Sequence, residues 1–235
     1  MTSFFRAILL VAVSASFLTA ADPLTGFPFT NETLRYSIKL PGGMSWGSAA
    51  LGAQKTDSGW SFDMSLDVPV PMVPITDKYA TFAALDLCSG VLQRTMSHGA
   101  RKVTEKTEFD QKAGQAHRQT LFPLGGGKSD ISISTCGRDA LTYLYYARRE
   151  MGQGRMPVPG TVLFGSAYDV KVVYTGAMEI PVKDKPVTTD HVNVTVKGPA
   201  SDITFEMFFA RDAARTPLLV KLPVSAGAVS LELVR

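Results

Sequence analysis

From Trp60 to Val68 apolar and polar residues alternate without a break: Trp60, Phe62, Met64, Leu66 and Val68 against Ser61, Asp63, Ser65 and Asp67. A period of two puts the first set on one face of a β-strand and the second in water. The rhythm returns at Leu34, Tyr36, Ile38 and Leu40, at Tyr168, Val170, Val172 and Tyr174, and at Val192, Val194 and Val196. Ile203, Phe205, Met207 and Phe209 repeat it, and Val229, Leu231 and Leu233 close it. Strands with one wet face belong to antiparallel sheets, because parallel strands covered on both faces read as unbroken apolar runs. Burying all these apolar faces together requires the sheet to curl.

Turn residues fall between these segments at Pro41-Gly42-Gly43, Asp57-Ser58-Gly59, Lys112-Ala113-Gly114, Gly125-Gly126-Gly127 and Gly198-Pro199. This punctuation predicts about ten to twelve short strands. Pro69, Pro71 and Pro74 mark a rigid crossover or a sheet edge, since each removes a ladder donor. One helix is predicted over 138–150, starting near Asp139 and carrying Leu141, Leu144 and Tyr145 on one face, with Arg148 and Arg149 at its end. The predicted fold is mainly β: a strongly curved antiparallel sheet, a half-barrel or open barrel, with the helix against its inner face. Residues 22–235 read as a single domain. The hairpin formed by 100–109 and 115–122 places Arg101, Lys102, Glu105, Lys106, Glu108 and Lys112 on both faces, which predicts a solvated edge.

With 45% hydrophobic and 19% charged residues, the chain is too apolar for intrinsic disorder. A net charge of +3 without a basic block excludes a nucleic-acid partner. Arg6, the apolar run from Ala7 to Leu18 and the small residues Thr19-Ala20-Ala21 read as a signal peptide over 1–21. About a dozen apolar residues fall short of a membrane span, so the mature chain is expected to be soluble, exported, and periplasmic or secreted. In that compartment Cys88 and Cys136 are expected to form a disulfide; a reactive thiol at Cys136, ahead of the helix, is the alternative.

Gly43-Met44-Ser45-Trp46-Gly47 fits the pattern of a nucleophile elbow, but the chain runs on into an alternating strand where the elbow needs a helix. A serine hydrolase using Ser45 stays an alternative. Gly127-Lys128-Ser129 fails as a phosphate-binding loop, because position 122 is Phe122 where a glycine is required. His98, His117 and His191 have no metal-ligand spacing and read as separate surface residues, so neither a metal site nor a cofactor is predicted. Trp60, Phe62, Tyr145, Phe205 and Phe209 all fall on the inner face, as packed core or as the lining of an apolar ligand site. Asp212 and Arg215 precede Pro217 as a turn fixed by side-chain hydrogen bonds, or as a binding motif.

Tyr36 to Leu40 followed by Gly47 to Leu51, the helical run Asp139 to Tyr146, and Phe205 to Phe209 followed by Arg211-Asp212-Ala213-Ala214-Arg215-Thr216-Pro217-Leu218, Leu222-Pro223 and Val229 to Leu233 together resemble the bacterial exported family catalogued as domain of unknown function 3108. The resemblance implies an exported β-fold and supplies no catalytic residue. The functional expectation is a non-enzymatic envelope protein that binds a lipid, another apolar ligand or a partner protein in its curved sheet. A structural or assembly module of the envelope is the alternative.

Overall fold

The structure, a computed structural model, describes residues 31–69, 73–199, 202–225 and 227–234. The signal-peptide reading and Pro71 lie outside them. Fifteen strands form one sheet. In chain order they are β1 (Asn31–Lys39), β2 (Ser45–Lys55), β3 (Gly59–Val68), β4 (Ile75–Ala84), β5 (Ser89–His98), β6 (Arg101–Asp110), β7 (Gln115–Phe122), β8 (Lys128–Ser132), β9 (Arg138–Asp139), β10 (Gly160–Leu163), β11 (Ala167–Val182), β12 (Lys185–Lys197), β13 (Asp202–Ala210), β14 (Pro217–Val224) and β15 (Gly227–Val234). The one helix among them, α1, is Ala140–Gly152. The sheet is an up-and-down meander in which β15 pairs with β1, so its order runs β8 to β1 and then β15 to β9. Every pairing is antiparallel except β9 with β10.

The strands exceed the predicted ten to twelve partly because β8, β9 and β10 span only 5, 2 and 4 residues. Runs that short carry no readable period. Elsewhere the alternation places its apolar set inward, with Phe62, Val192, Val194, Met207 and Phe209 buried in one cluster and Tyr36, Ile38 and Val68 in another; Tyr174 departs from it and stands exposed at the register shift between Tyr174 and Gly176.

The sheet does not meet edge to edge; it overlaps itself. Val162 faces the interior cluster, whereas its neighbour Leu163, on the opposite face of β10, packs against Leu92, Phe109 and Ala116 of β5, β6 and β7. The inner face of β5 to β7 therefore covers the outer face of β10, as in a rolled page. This corrects the reading of residues 100–122 as solvated on both faces. Glu105, Thr107, Phe109 and Ala116 are buried there, and Glu105 pairs with Arg94 at 2.5 Å.

Polar groups join the overlapping layers. Arg94 and Arg118 donate to the carbonyls of Phe164 and Gly165 in the β10–β11 turn. The Arg94 guanidinium occupies the place where a Cβ on Gly165 would stand, and φ there is 81°. The Gln111 amide donates to Ser89 O and Gly137 O and accepts from Gly137 N. The Cys88–Cys136 disulfide ties the β4–β5 turn to the segment before β9.

α1 lies inside this roll and is held at both ends. At its start, Asp139 is fully buried; Oδ1 accepts from the N–H groups of Leu141 and Thr142, as an N-cap should. The hydroxyls of Ser89, Thr81 and Thr142 converge on Oδ2 at 2.6, 2.7 and 2.7 Å. Near its end, the fully buried Arg148 makes a bidentate pair with Glu32 of β1 at 2.6 and 2.7 Å. Its Nε–H donates to the carbonyls of Ala214 and Arg215. Asp212 fixes the β13–β14 turn by accepting from Thr216 N and Thr216 Oγ1. Arg215 reaches outward from that turn to Met151 O and Asp190.

Two measurements test these ties. Closing a loop over a separation of 48 residues contributes about 4 kcal/mol on the chain-entropy account. Cys88→Ser/Cys136→Ser is expected to lose that much in urea unfolding; an unchanged midpoint would show that the roll holds without the bond. Removing one partner of a buried charge pair costs about 3–5 kcal/mol, while replacing both with apolar groups costs far less. Glu32→Leu should therefore be more damaging than Glu32→Leu combined with Arg148→Met. Additive losses in the double variant would refute the pairing.

Candidate functional site

Between α1 and strands β10 to β13 the interior is hollow, with a cavity of about 510 Å3. Leu141, Leu144, Ala147 and Met151 form its helical side. Val162, Phe164, Val170, Val172, Val194 and Val196 form the wall opposite, completed by Tyr168, Ile203, Phe205, Met207, Phe209 and Met64. The strand period puts these side chains inward, and the three-and-four spacing turns Leu141, Leu144 and Ala147 toward them.

Among the described residues no charged side chain lines the cavity. Its hydroxyls are those of Tyr143 and Tyr168, and Tyr143 already donates to Val158 O at 3.1 Å. The lining therefore offers dispersion contacts and exclusion of water, with neither a nucleophile nor a carboxylate or imidazole to move protons.

The five aromatic residues singled out from sequence divide. Phe205 and Phe209 line the cavity. Trp60, Phe62 and Tyr145 do not: all three are fully buried in a pile, with ring centroids 6.0 Å apart for Trp60 and Phe62 and 4.1 Å for Phe62 and Tyr145. The Arg148 guanidinium caps it 4.9 Å from the Tyr145 ring. The pile seats the middle of the helix at Tyr145. Val162 and Phe164 were missed, because β10 is too short to show a period; the apolar run from Val162 to Phe164 after Gly160 was their only signal.

The other candidate residues lie apart from the cavity. Ser45 opens strand β2, is exposed, and lies 3.0 Å from Ser37 Oγ; β3 follows β2 with no helix between. Asp190 and His191 diverge. Asp190 accepts from Arg211 and Arg215, while His191 stacks on Phe208 with centroids 4.4 Å apart and bonds Thr175 Oγ1. His191 is buried, which corrects its reading as a surface residue. His98 pairs with Asp77 at 2.9 Å and His117 with Asp130 at 2.7 Å. Asp86 lies close to Cys88 and Cys136, but both sulfurs are in the disulfide and are not thiolate ligands.

A family model described as "Protein of unknown function (DUF3108)" matches residues 35–234. The chain belongs to that family. Among curated proteins none matches this DUF3108 chain. Among solved structures it resembles a β-barrel-like protein of domain of unknown function DUF1849 from Brucella abortus. The two are 10% identical with a TM-score of 0.64, over 90% of this chain and 98% of that one. At that identity the likeness extends to the fold. No helix among the described residues is long and apolar enough to cross a membrane.

Burial at the site shapes the alkaline limit of stability. Desolvation raises Tyr143 from 10.0 to about 12, with Tyr146 adding to the shift. It raises Tyr79, which also faces Asp77, to about 12. Between pH 10 and 12 the unfolded chain releases these protons while the folded chain keeps them, so their contribution is complete below pH 10 and is lost as the pH climbs through that window. Tyrosinate absorbance and loss of β-sheet circular dichroism should rise together there. Ionisation of both tyrosines near pH 10 with the fold intact would contradict their burial.

Proposed function

We propose that this DUF3108 protein is a non-enzymatic, exported envelope protein that holds an apolar ligand in the cavity between α1 and β10 to β13. The observation that carries the reading is a chamber of about 510 Å3 lined by aliphatic and aromatic side chains. Ligand sites fall in the range of about 300–1,000 Å3 and are mostly apolar. A core packed to ordinary density leaves no such space. With no charge among the described lining residues, selectivity favours neutral hydrocarbon, such as an acyl chain whose polar head stays outside. The disulfide fits an oxidising compartment.

The test is displacement of an environment-sensitive fluorescent fatty acid from protein purified out of its native envelope. Binding is expected to saturate at one probe per chain. Val194→Phe, which projects a ring into the chamber, should weaken it roughly tenfold or more, the equivalent of about 1.4 kcal/mol or more. Probe binding that Val194→Phe leaves unchanged, or none at all by the parent after delipidation, would remove the cavity from the function.

A further inference from the structure

Consecutive antiparallel strands reverse direction, so the turns β1–β2, β3–β4, β5–β6 and β7–β8 gather at one end of the roll, while α1 occupies the other end near the β13–β14 turn. The cavity wall reaches toward the first end through Val196 and Ile203, the residues flanking the β12–β13 connection. Apolar side chains stand exposed on its turns: Met44 is 67% and Val73 49% exposed. The β7–β8 tip is the extreme case, with Phe122 at 52% and Leu124 at 92%. An exposed cluster of this kind marks a surface that meets apolar matter.

Charge says which kind. Arg101 and Lys102 share a groove with Phe122 and Pro123, and Lys128 begins the strand that leaves the tip. All three cations are exposed and make no hydrogen bond or ion pair among the described residues. The one carboxylate in that groove, Glu105, is buried and engaged by Arg94. Apolar wedges ringed by unpaired cations are the chemistry of an interface with anionic lipid, where each Lys or Arg near the surface contributes about 1 kcal/mol. The tip is also coupled to the cavity. Arg118 of β7 holds the Gly165 carbonyl next to the cavity residue Phe164, and four residues of strand, about 13 Å, separate Arg118 from Phe122.

We propose that the β7–β8 tip, Leu121, Phe122 and Leu124 within the ring of Arg101, Lys102 and Lys128, docks the protein on an anionic lipid surface. The proposal rests on the cavity reading for its purpose, the exchange of an apolar ligand with a membrane. Its test does not depend on that reading. Leu124→Trp places an indole on the tip, at a position exposed enough to leave the fold unchanged. Vesicles of phosphatidylcholine, with and without phosphatidylglycerol and carrying brominated acyl chains, quench an indole that enters them. Quenching in excess of the parent chain, whose Trp46 and Trp60 are common to both, reports the tip alone. The expected result is excess quenching on the phosphatidylglycerol vesicles, weakened by salt. Adding Arg101→Ser, Lys102→Ser and Lys128→Ser should raise the lipid concentration required roughly tenfold or more. No excess over the parent, or equal excess on purely zwitterionic vesicles, overturns the proposal. Binding of the fluorescent fatty acid without vesicles, measured on the same variants, reports the cavity separately.

Discussion

The helix is fixed at its two ends, and most of what distinguishes this interior follows from that. One end is set by a buried carboxylate that gathers hydroxyls from β4 and β5, the other by a buried guanidinium shared between β1 and the β13–β14 turn. Both anchors are directional and charge-assisted, so they set the height of α1 above the sheet. An amphipathic helix held only by its apolar stripe would settle until its side chains met the strands. Here the polar anchors and the aromatic pile of Trp60, Phe62 and Tyr145 take the load, and the underside from Leu141 to Met151 stands clear of the valines opposite.

The anchors also explain why the roll is stable with an overlapping seam. A sheet that overlaps itself exposes the ladder groups of its terminal strands, an invitation to pair with other chains. The β9 edge is covered from within: Ser89 N–H donates to Gly137 O at 3.1 Å, and the Gln111 amide bonds the same carbonyl. Because Asp139 belongs to both β9 and the helix cap, pulling the seam apart also uncaps the helix.

The longer strands and the helix were legible because each obeys a period. The strand from Trp60 to Val68 and the cap at Asp139 follow from spacing and one hydrogen-bonding side chain. The overlap was not legible. Phe109 and Ala116 alternate with polar neighbours as residues on an outer strand would, and nothing local shows that β10 lies beneath them. Glu105 read as a surface charge because its pairing with Arg94 joins adjacent strands and depends on the layer that covers them. The division among the five aromatic residues was hidden for the same reason. Period two states which face a ring takes, and the position of the helix along that face decides whether the ring packs or lines a space.

Side-chain reach determines where the hollow lies. On the adjacent strands β15, β1, β2 and β3 the inner face carries Tyr36, Ile38, Leu66, Leu231 and Leu233, with Trp46 beside them, and these pack side by side in one cluster. On β11 and β12 it carries Val170, Val172, Val194 and Val196, while the facing turns of the helix present Ala140 and Ala147. Valine is short and stiff at χ1 and cannot bend to fill a gap, and alanine contributes a single methyl. Short residues at these facing positions, with the distance between them fixed by the helix anchors, leave a space that the longer Leu144, Met151, Phe205 and Phe209 around it do not close. Filling that space by ordinary core substitutions would gain dispersion contacts, a gain in stability that the valine columns and the two alanines leave unused.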